Sequence, residues 1–292
     1  MFMEAIKLKN LHKSFGKTKA LSGIFLTIKQ GEIFGFLGPN GAGKTTTLSI
    51  IMDFLKPTSG NVFLFGKDAN KNADQLKKDI GYISADAHFY ENLTAREHFK
   101  LINDLRGKSS NLTELLQDFD FNPNKKAREL STGNRQKLAI IMALMHSPKI
   151  LVMDEPTRGL DPIYQNVFYK WLLKLNKEGS TIFMSSHNLF EVENICTSIA
   201  IIKKGKVVAL EDIKTLHEKK MHIVEMELLE KINMKIFNDP LFEIVEDAYP
   251  RLKLKVSGDI NRFLDLLAKI KVRDLLITHA SLEEIFLEYY EN

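Results

Sequence analysis

Apolar and polar positions follow two alternating periods along most of the chain. Mostly apolar runs at 32–37, 149–155 and 181–185 are typical of strands that are buried on both faces of a parallel sheet. Stretches 46–55 and 162–174 place their apolar residues at helical spacing instead. Because strands and helices alternate, the pattern predicts an α/β fold with a doubly wound, mostly parallel sheet.

Three more strand-like stretches surround the first of these helices, at 6–9, 21–28 and 61–66. Apolar and basic residues alternate in the first of them, which indicates a strand with one exposed face. Residues 13–17 are predicted to form a turn that carries one aromatic ring, Phe15. Together these stretches predict a small N-terminal antiparallel β subdomain beside the main sheet.

From 74 to 146 the pattern is helical. Thr94-Ala95-Arg96-Glu97 has the sequence of a capping box, and a second helix start follows at 111–114. A third helix is predicted over 133–147, with its apolar residues on one face. We therefore expect a helical insertion between strands of the core, covering about residues 85–147.

The pattern changes again after about residue 216. We expect a first domain at 1–216 and a small α+β accessory domain at 217–292. In the second domain, strands are predicted at 223–229, 243–246 and 252–256, an amphipathic helix at 259–270, and a last helix from the capping box at 281–284.

The composition is typical of a soluble globular protein, with 44% hydrophobic and 27% charged residues in 292 positions. The net charge of +4 is only mildly basic, and no concentrated basic arm is present, so no nucleic-acid partner is expected. Cys196 is the only cysteine, which excludes an internal disulfide and fits a reducing compartment.

The sequence predicts neither a secretory signal nor a membrane span. Residues 1–7 lack the long apolar run of a signal peptide. The longest uncharged stretch, 179–190, is too short to cross a bilayer. We therefore expect a chain that does not cross a membrane by itself.

A phosphate-binding pattern lies between the first apolar run and the first helix. Its glycines allow backbone N–H groups to approach phosphate oxygens, and the following helix N-terminus adds a partial positive charge. Lys44 can reach the β- and γ-phosphates, and the Thr45 hydroxyl can ligate Mg²⁺. An ordinary glycine turn with a surface lysine is the alternative. The residues of the pattern are Gly38, Pro39, Asn40, Gly41, Ala42, Gly43, Lys44 and Thr45, followed by Thr46.

Four later stretches, taken together with this loop, make residues 4 to about 211 resemble the ATP-binding subunit of an ABC transporter. One is similar to the ABC signature, one to a Walker B strand, one to the D-loop and one to the switch histidine. In that order they are Leu130-Ser131-Thr132-Gly133-Asn134-Arg135-Gln136, 150–155, Thr157-Arg158-Gly159-Leu160-Asp161 and Ser185-Ser186-His187.

The resemblance implies a role for each matching residue. Asp154 would hold Mg²⁺, and Glu155 would orient or deprotonate the attacking water. Ser131 and the Gly133 N–H would meet the γ-phosphate that is held by a second copy. The remaining implied contacts are Asp161 across the dimer interface, His187 at the γ-phosphate and Phe15 stacked on adenine. The alternatives are that the acidic pair is merely solvated, that Ser131 is only a helix cap, that His187 is structural and that Phe15 belongs to the core.

Two departures from the family pattern bear on coupling. Thr132 and Asn134 differ from the usual LSGGQ signature, although nucleotide-driven dimerisation is still expected. Ala85 stands where the family usually has the Q-loop glutamine, and Asp86 follows it. We expect the second difference to affect coupling to a permease rather than nucleotide binding.

The resemblance predicts a Mg²⁺-dependent ATPase built on a P-loop NTPase core. Two subunits, as a homodimer or with a paralogue, would enclose ATP and drive a separate permease from the cytoplasmic face of a membrane. The stretch 280–286 resembles the end of exporter ATPases, which favours export. An importer subunit, or a soluble ABC ATPase acting on the ribosome or DNA, remains an alternative.

Overall fold

The computed structural model describes residues 3–107, 109–213, 215 and 221–279. The chain divides into two compact units, Met1–Leu210 and Glu211–Asn292, and each is described by itself. The predicted boundary at 216–217 and the predicted last helix from Ser281 lie outside the described residues. None of the helices in these ranges is long and apolar enough to span a bilayer.

Within the described ranges, the first unit contains ten strands and seven α-helices, and its last strand ends two residues after Leu210. The strands are β1 (Glu4–Phe15), β2 (Thr18–Lys29), β3 (Ile33–Leu37), β4 (Ser59–Leu64), β5 (Lys67–Asp68), β6 (Ile80–Ile83), β7 (Ile150–Asp154), β8 (Thr181–Ser186), β9 (Ser198–Lys203) and β10 (Lys206–Asp212). The helices are α1 (Lys44–Ile51), α2 (Ala73–Leu76), α3 (Ala95–Arg106), α4 (Leu112–Asp118), α5 (Thr132–Leu144), α6 (Pro162–Lys177) and α7 (Leu189–Ile195).

A four-stranded sheet in the order β2-β1-β4-β5 forms the N-terminal subdomain. Its neighbouring strands are all antiparallel, as the sequence predicted. The prediction of a turn over 13–17 was too wide, because β1 continues through Phe15 and only Gly16 and Lys17 turn. Gly16 has a φ of +56°, which explains why the chain can reverse within so few residues.

The core is a six-stranded sheet in the order β10-β9-β3-β8-β7-β6. β3 lies between β8 and β9, and β7 between β8 and β6, with all four pairs parallel. The predicted mostly parallel sheet is confirmed, and every residue of β3, β7 and β8 is buried. The carboxyl ends of these three strands therefore meet at one edge, where ligands bind in open α/β sheets.

The edge strand β6 was not predicted, because the stretch from 74 to 146 was interpreted as helical throughout. β6 is short, and Gly81 weakens its strand pattern. A Cβ atom on Gly81 would lie 2.6 Å from the backbone oxygen of Ala143 in α5. Glycine is needed here so that α5 can approach the sheet, and the sequence shows no sign of that requirement.

α7 packs against the middle of β3 in a similarly close contact. A Cβ atom on Gly35 would lie 2.8 Å from Val192 Cγ1 and 3.1 Å from Cys196 Sγ. Cys196 is a free, buried cysteine, and burial raises the pKa of its thiol. The strand that leads into the phosphate-binding pattern is thus held from behind by a tightly packed helix.

The helical insertion is fixed by side-chain caps. Thr94 and Glu97 form the predicted capping box at the start of α3. Ser131 caps α5, where its Oγ accepts a hydrogen bond from Asn134 N. The indole Nε1 of Trp171 in α6 donates to Asp118 Oδ2 at 2.8 Å, which ties α4 to the core.

The described residues of the second unit include a four-stranded antiparallel sheet and an α-helix. Its core includes Val224, Leu254 and Phe263. The strand order is β12-β13-β11-β14. β14 was not predicted because Leu276 is apolar although it is exposed between two inward-facing residues, so the sequence shows no alternation of apolar and polar residues there. The elements are β11 (Met221–Leu228), β12 (Phe242–Ala248), β13 (Arg251–Ser257), α8 (Ile260–Leu267) and β14 (Val272–His279).

Candidate functional site

A glycine-containing loop connects β3 to α1 at the edge where the buried strands end. A Cβ atom on Gly38 would lie 2.4 Å from the backbone oxygen of Ile202, so only glycine fits. Gly41 and Gly43 have φ angles of +79° and +111°, in the left-handed region that favours glycine. Gly43 immediately precedes α1, whose first N–H groups have no intrahelical acceptor and form an anion-binding end.

Lys44 folds back over this loop. Its Nζ donates to the backbone oxygen of Gly38 at 2.6 Å and lies 3.7 Å from Glu155 Oε1. The side chain is almost completely buried. A buried ammonium group is therefore held at the mouth of the loop, within reach of an anion bound there.

Asp154, at the end of β7, joins the loop to the neighbouring strand. Thr45 Oγ1 donates to Asp154 Oδ2 at 2.6 Å, and Ser185 Oγ donates to Asp154 Oδ1. The carboxylate is 1% exposed, so these two hydroxyl groups replace the water that it loses on burial. Ser185 belongs to a predicted motif, but no role was expected for it, because its register opposite Asp154 depends on sheet pairing.

Glu155 follows in an unusual backbone conformation, with φ at +48°. Such angles are uncommon outside glycine, and here the backbone turns while Glu155 N donates to the Ser185 oxygen at 3.2 Å. The carboxylate faces two cationic or hydrogen-bonding groups. His187 Nδ1 donates to Oε2 at 2.6 Å, and Lys44 Nζ lies beside Oε1.

Lys44, Thr45, Asp154 and Glu155 line one cleft of about 430 Å³. Its far wall contains Ala85 and Asp86, and Arg158 Nη1 lies 3.6 Å from Asp86 Oδ1. Arg158 was not singled out from the sequence, although it follows the acidic pair closely. The predicted residues that line the cleft are Pro39, Asn40, Gly41, Gly43, Lys44, Thr45, Thr46, Asp154 and Glu155.

Seven predicted site residues are not part of that lining, and one of them, His187, is connected to it by its hydrogen bond to Glu155. Ser131 and Asp161 act as helix caps, the latter accepting from Ile163 N and Tyr164 N at 3.1 Å each. Gly133 packs against Gly159, since a Cβ atom on it would lie 3.0 Å from the Gly159 oxygen. Phe15 is half exposed at the end of β1. Ala42 and Gly38 belong to the loop without lining the cleft.

A buried carboxyl group, Glu191, lies behind His187. Its Oε2 accepts from Ser186 Oγ at 2.7 Å, and the hydroxyl groups of Thr157 and Tyr169 lie near it. Burial raises the pKa of Glu191, and these hydroxyl groups partly offset the shift. The carboxyl group thus connects the segment after Glu155 with the segment that carries His187.

The oxygen ligands of the cleft fit Mg²⁺. The Thr45 hydroxyl and the Asp154 carboxylate are hard donors on adjacent elements. Among the described residues, no group of three or more His, Cys, Asp or Glu side chains could hold a metal. Mg²⁺ is usually bound by one or two protein ligands together with substrate phosphates and water, and Thr45 and Asp154 can supply the protein ligands.

Comparison with known proteins then identifies the family. The family model described as "ABC transporter" matches residues 21–158. The bacitracin transport ATP-binding protein BcrA of Bacillus licheniformis is 35% identical over 297 residues, covering 97% of this chain and 96% of the relative. The chain belongs to the ABC transporter ATP-binding proteins. It is therefore an ABC ATPase, which couples ATP hydrolysis to transport.

Other ABC proteins are similar in sequence and in fold. The linearmycin resistance ATP-binding protein LnrL of Bacillus subtilis (strain 168) is 34% identical over 212 residues, covering 70% of this chain and 68% of that protein. A dimeric bacterial ABC transporter cassette matches with a TM-score of 0.66 and 31% identity, over 71% of this chain and 98% of that structure. The P-loop NTPase core expected from the sequence is confirmed.

Proposed function

We propose that this ABC ATPase powers an exporter whose permease is a separate chain, and that Glu155 is its catalytic base. The observation that carries the proposal is the position of the Glu155 carboxylate, 2.6 Å from His187 Nδ1 and 3.7 Å from Lys44 Nζ. Lys44 and His187 are the two groups expected at the γ-phosphate, and a base between them is placed where the attacking water would bind.

The loop and Lys44 would bind the triphosphate. The first residues of α1, Lys44, Thr45 and Thr46, line the cleft at an anion-binding helix end, and the Lys44 ammonium group is already held there by the Gly38 oxygen. Thr45 and Asp154 would hold Mg²⁺, which would supply positive charge against the phosphates. Phe15 would stack on adenine, since half of its surface is exposed at the end of β1.

Glu155 and His187 would act on the attacking water. The carboxylate would accept the proton of the water, and the Glu155–His187 hydrogen bond would keep the carboxylate pointed into the cleft. The backbone at Glu155 is held in the left-handed region by its N–H bond to Ser185. We therefore assign Glu155 the chemical role and His187 an orienting role that includes a γ-phosphate contact.

A second copy, or a paralogue, would complete the site. Ser131 and Gly133 do not line the cleft that contains Lys44, although the α5 N-terminus they form is a suitable anion-binding end. A similar solved cassette is dimeric, which supports an arrangement in which the signature of one copy meets the ATP of the other. Asp161 would then lie near the same interface.

Export is favoured by the relatives. The names of two of them refer to bacitracin transport and to linearmycin resistance. An exporter ATPase would dock on its permease at the cytoplasmic face of the membrane, with residues 85–99 as the contact region. The importer alternative and the ribosome or DNA alternative have no such support among these relatives, and no nucleic-acid partner is proposed.

The substitution Glu155→Gln tests the catalytic role. It keeps the shape of the side chain and removes the base, so steady-state phosphate release should fall about a hundredfold or more while ATP binding persists. Glu178→Gln, at the exposed C-terminal end of α6, is the matched control and should hydrolyse ATP normally. A Glu155→Gln protein with the wild-type rate would remove Glu155 from the mechanism.

Dimerisation provides the second test. ATP should convert the Glu155→Gln protein from monomer to dimer in light scattering, because a ligand bound only across two copies drives association by mass action. ADP lacks the γ-phosphate that Ser131 and Gly133 would contact and should leave the protein monomeric. A stable dimer that is indifferent to nucleotide would contradict the shared-site model.

A further inference from the structure

The segment that follows Ala85 is joined by backbone hydrogen bonds to the segment that leads into the signature. Ala127 N donates to the Leu93 oxygen at 2.9 Å, and Arg128 N donates to the Glu91 oxygen at 3.2 Å. An isolated antiparallel bridge between Thr94 and Lys126 extends this pairing. We call residues 89–94 the outer loop. It runs alongside the four residues that precede Leu130 and Ser131.

Arg135 adds a side-chain connection between the outer loop and the signature helix. Its Nη2 donates to Glu91 Oε1 at 2.7 Å and its Nη1 donates to Glu91 Oε2 at 3.1 Å. Nη1 also donates to the Ala127 oxygen at 3.1 Å, and the guanidinium group lies 5.4 Å from the ring centre of Phe89. The hydrogen bond with Arg135 lowers the pKa of Glu91, so the pair is ionised at neutral pH.

Arg135 lies in the first turn of α5. Its backbone N donates to the Ser131 oxygen at 2.8 Å, so the guanidinium group and the signature serine are one helical turn apart on the same element. A guanidinium group that makes two hydrogen bonds to one carboxylate fixes the relative orientation of the two side chains as well as their distance. The pair therefore links the position of Glu91 to that of the helix end that carries Ser131 and Gly133.

The outer loop is also fixed from its buried side. His98 in α3 is buried, and its Nδ1 donates to the Thr94 oxygen at 2.8 Å. Its Nε2 accepts from Tyr90 N at 3.1 Å, and the Phe89 ring meets the imidazole edge-on at 5.6 Å. The opposite side of the loop is open, where Tyr90 is 66% exposed. The loop is thus rigid towards α3 and accessible from outside.

We propose that Arg135 is a positioning residue that sets the orientation of the signature by its bidentate pair with Glu91. This role rests on the proposed function, since it concerns the same ATP-dependent dimer. The pair would hold the α5 N-terminus in the orientation that meets the nucleotide of the second copy.

The test uses the full chain with Glu155→Gln as the parent. Adding Glu91→Gln should weaken the ATP-dependent dimer about three- to tenfold in sedimentation or light scattering. Mg-ATP affinity of the single chain, measured by calorimetry at concentrations below dimerisation, should stay within about twofold because the cleft is untouched. A general loss of structure would lower both affinities, so a loss confined to dimer affinity distinguishes the proposed role from misfolding.

A matched control exists in the same unit. Glu114 accepts two bonds from Lys174 Nζ, at 2.6 and 2.7 Å, and is 54% exposed, against 52% for Glu91. Glu114→Gln removes the same charge from an equally close ion pair that does not reach the signature. It should leave the dimer unchanged. The charge reversal Glu91→Arg with Arg135→Glu should recover part of the loss that each single reversal causes.

Hydrogen exchange decides the inference even if the parent does not dimerise. Amides 134–138 should exchange several-fold faster in the Glu91→Gln monomer than in the Glu114→Gln monomer, because the first turn of α5 has lost its external support. Failure of the parent to dimerise with ATP would count against the shared-site model alone. Equal exchange in the two variants, or equal dimer affinity, would overturn the role of Arg135.

Discussion

Removing the Ser185 hydroxyl group tests how the buried carboxylate of Asp154 is held. Ser185 and Asp154 are both fully buried, and the hydroxyl group is one of two side-chain donors to that carboxylate. Hydrogen bonds to charged groups contribute about 1.5–3 kcal/mol. Ser185→Ala should therefore lower the free energy of unfolding by about 2 kcal/mol, and Thr45 should keep the remaining bond.

Ser180→Ala is the matched comparison. Ser180 lies just before the same strand, is also buried, and donates its hydroxyl group to the neutral backbone oxygen of Pro148 at 2.6 Å. Hydrogen bonds between neutral groups contribute about 1 kcal/mol. The loss in free energy of unfolding should therefore be about twice as large for Ser185→Ala as for Ser180→Ala.

Urea denaturation with fluorescence detection measures both variants. Trp171 is the only tryptophan of the chain and is buried in the first unit, so its emission follows that unit alone. The difference between the two variants is more reliable than either value, because both share one unfolded state and one probe. If Ser185→Ala has no larger effect than Ser180→Ala, the hydroxyl bond to Asp154 does not stabilise the carboxylate as argued.

Three further predictions concern other parts of the site. Lys44→Ala should abolish Mg-ATP binding in calorimetry with little change in the thermal melt; unchanged affinity in a folded variant would contradict the phosphate-binding role. Because burial raises the pKa of Glu191 above its ordinary value of 4.5, the folded protein binds this proton more tightly and loses stability as pH rises above that value. Glu191→Gln cannot titrate, so its free energy of unfolding in urea, relative to that of the wild type, should be higher at pH 8 than at pH 5. If the difference between the two proteins does not change with pH, the predicted direction is wrong. Crosslinkers attached at single positions within 86–92 should capture the permease in native membranes, and capture only from other surfaces would exclude this docking region.

Sequence patterns predicted the parts of the site that depend on local geometry and on parallel strand ends. The glycine positions around Lys44, and the acidic pair at the end of a buried run, required no knowledge of distant contacts. Because parallel strands end at one edge, their meeting at the cleft followed from the fold class. The placement of Thr45 against Asp154 is the clearest instance.

Features that depend on contacts between distant segments were not predicted. The strand β6 requires a glycine because α5 passes close to it, and the pairing of Arg135 with Glu91 depends on how the outer loop lies against 126–130. The left-handed backbone at Glu155 has no signature in its own residue type. These features arise from tertiary packing, which single-sequence periodicity does not contain.

The burial of Cys196 at the end of α7 has a practical consequence for chemical labelling. Thiol reagents attack the thiolate, which is scarce when the pKa is raised and unreachable when the sulfur is covered. The native chain should therefore behave towards maleimides as though it had no cysteine, so a cysteine introduced on the surface can be labelled alone. The slow rate at which Cys196 itself is modified would then report how often α7 opens away from β3, and so would measure local unfolding.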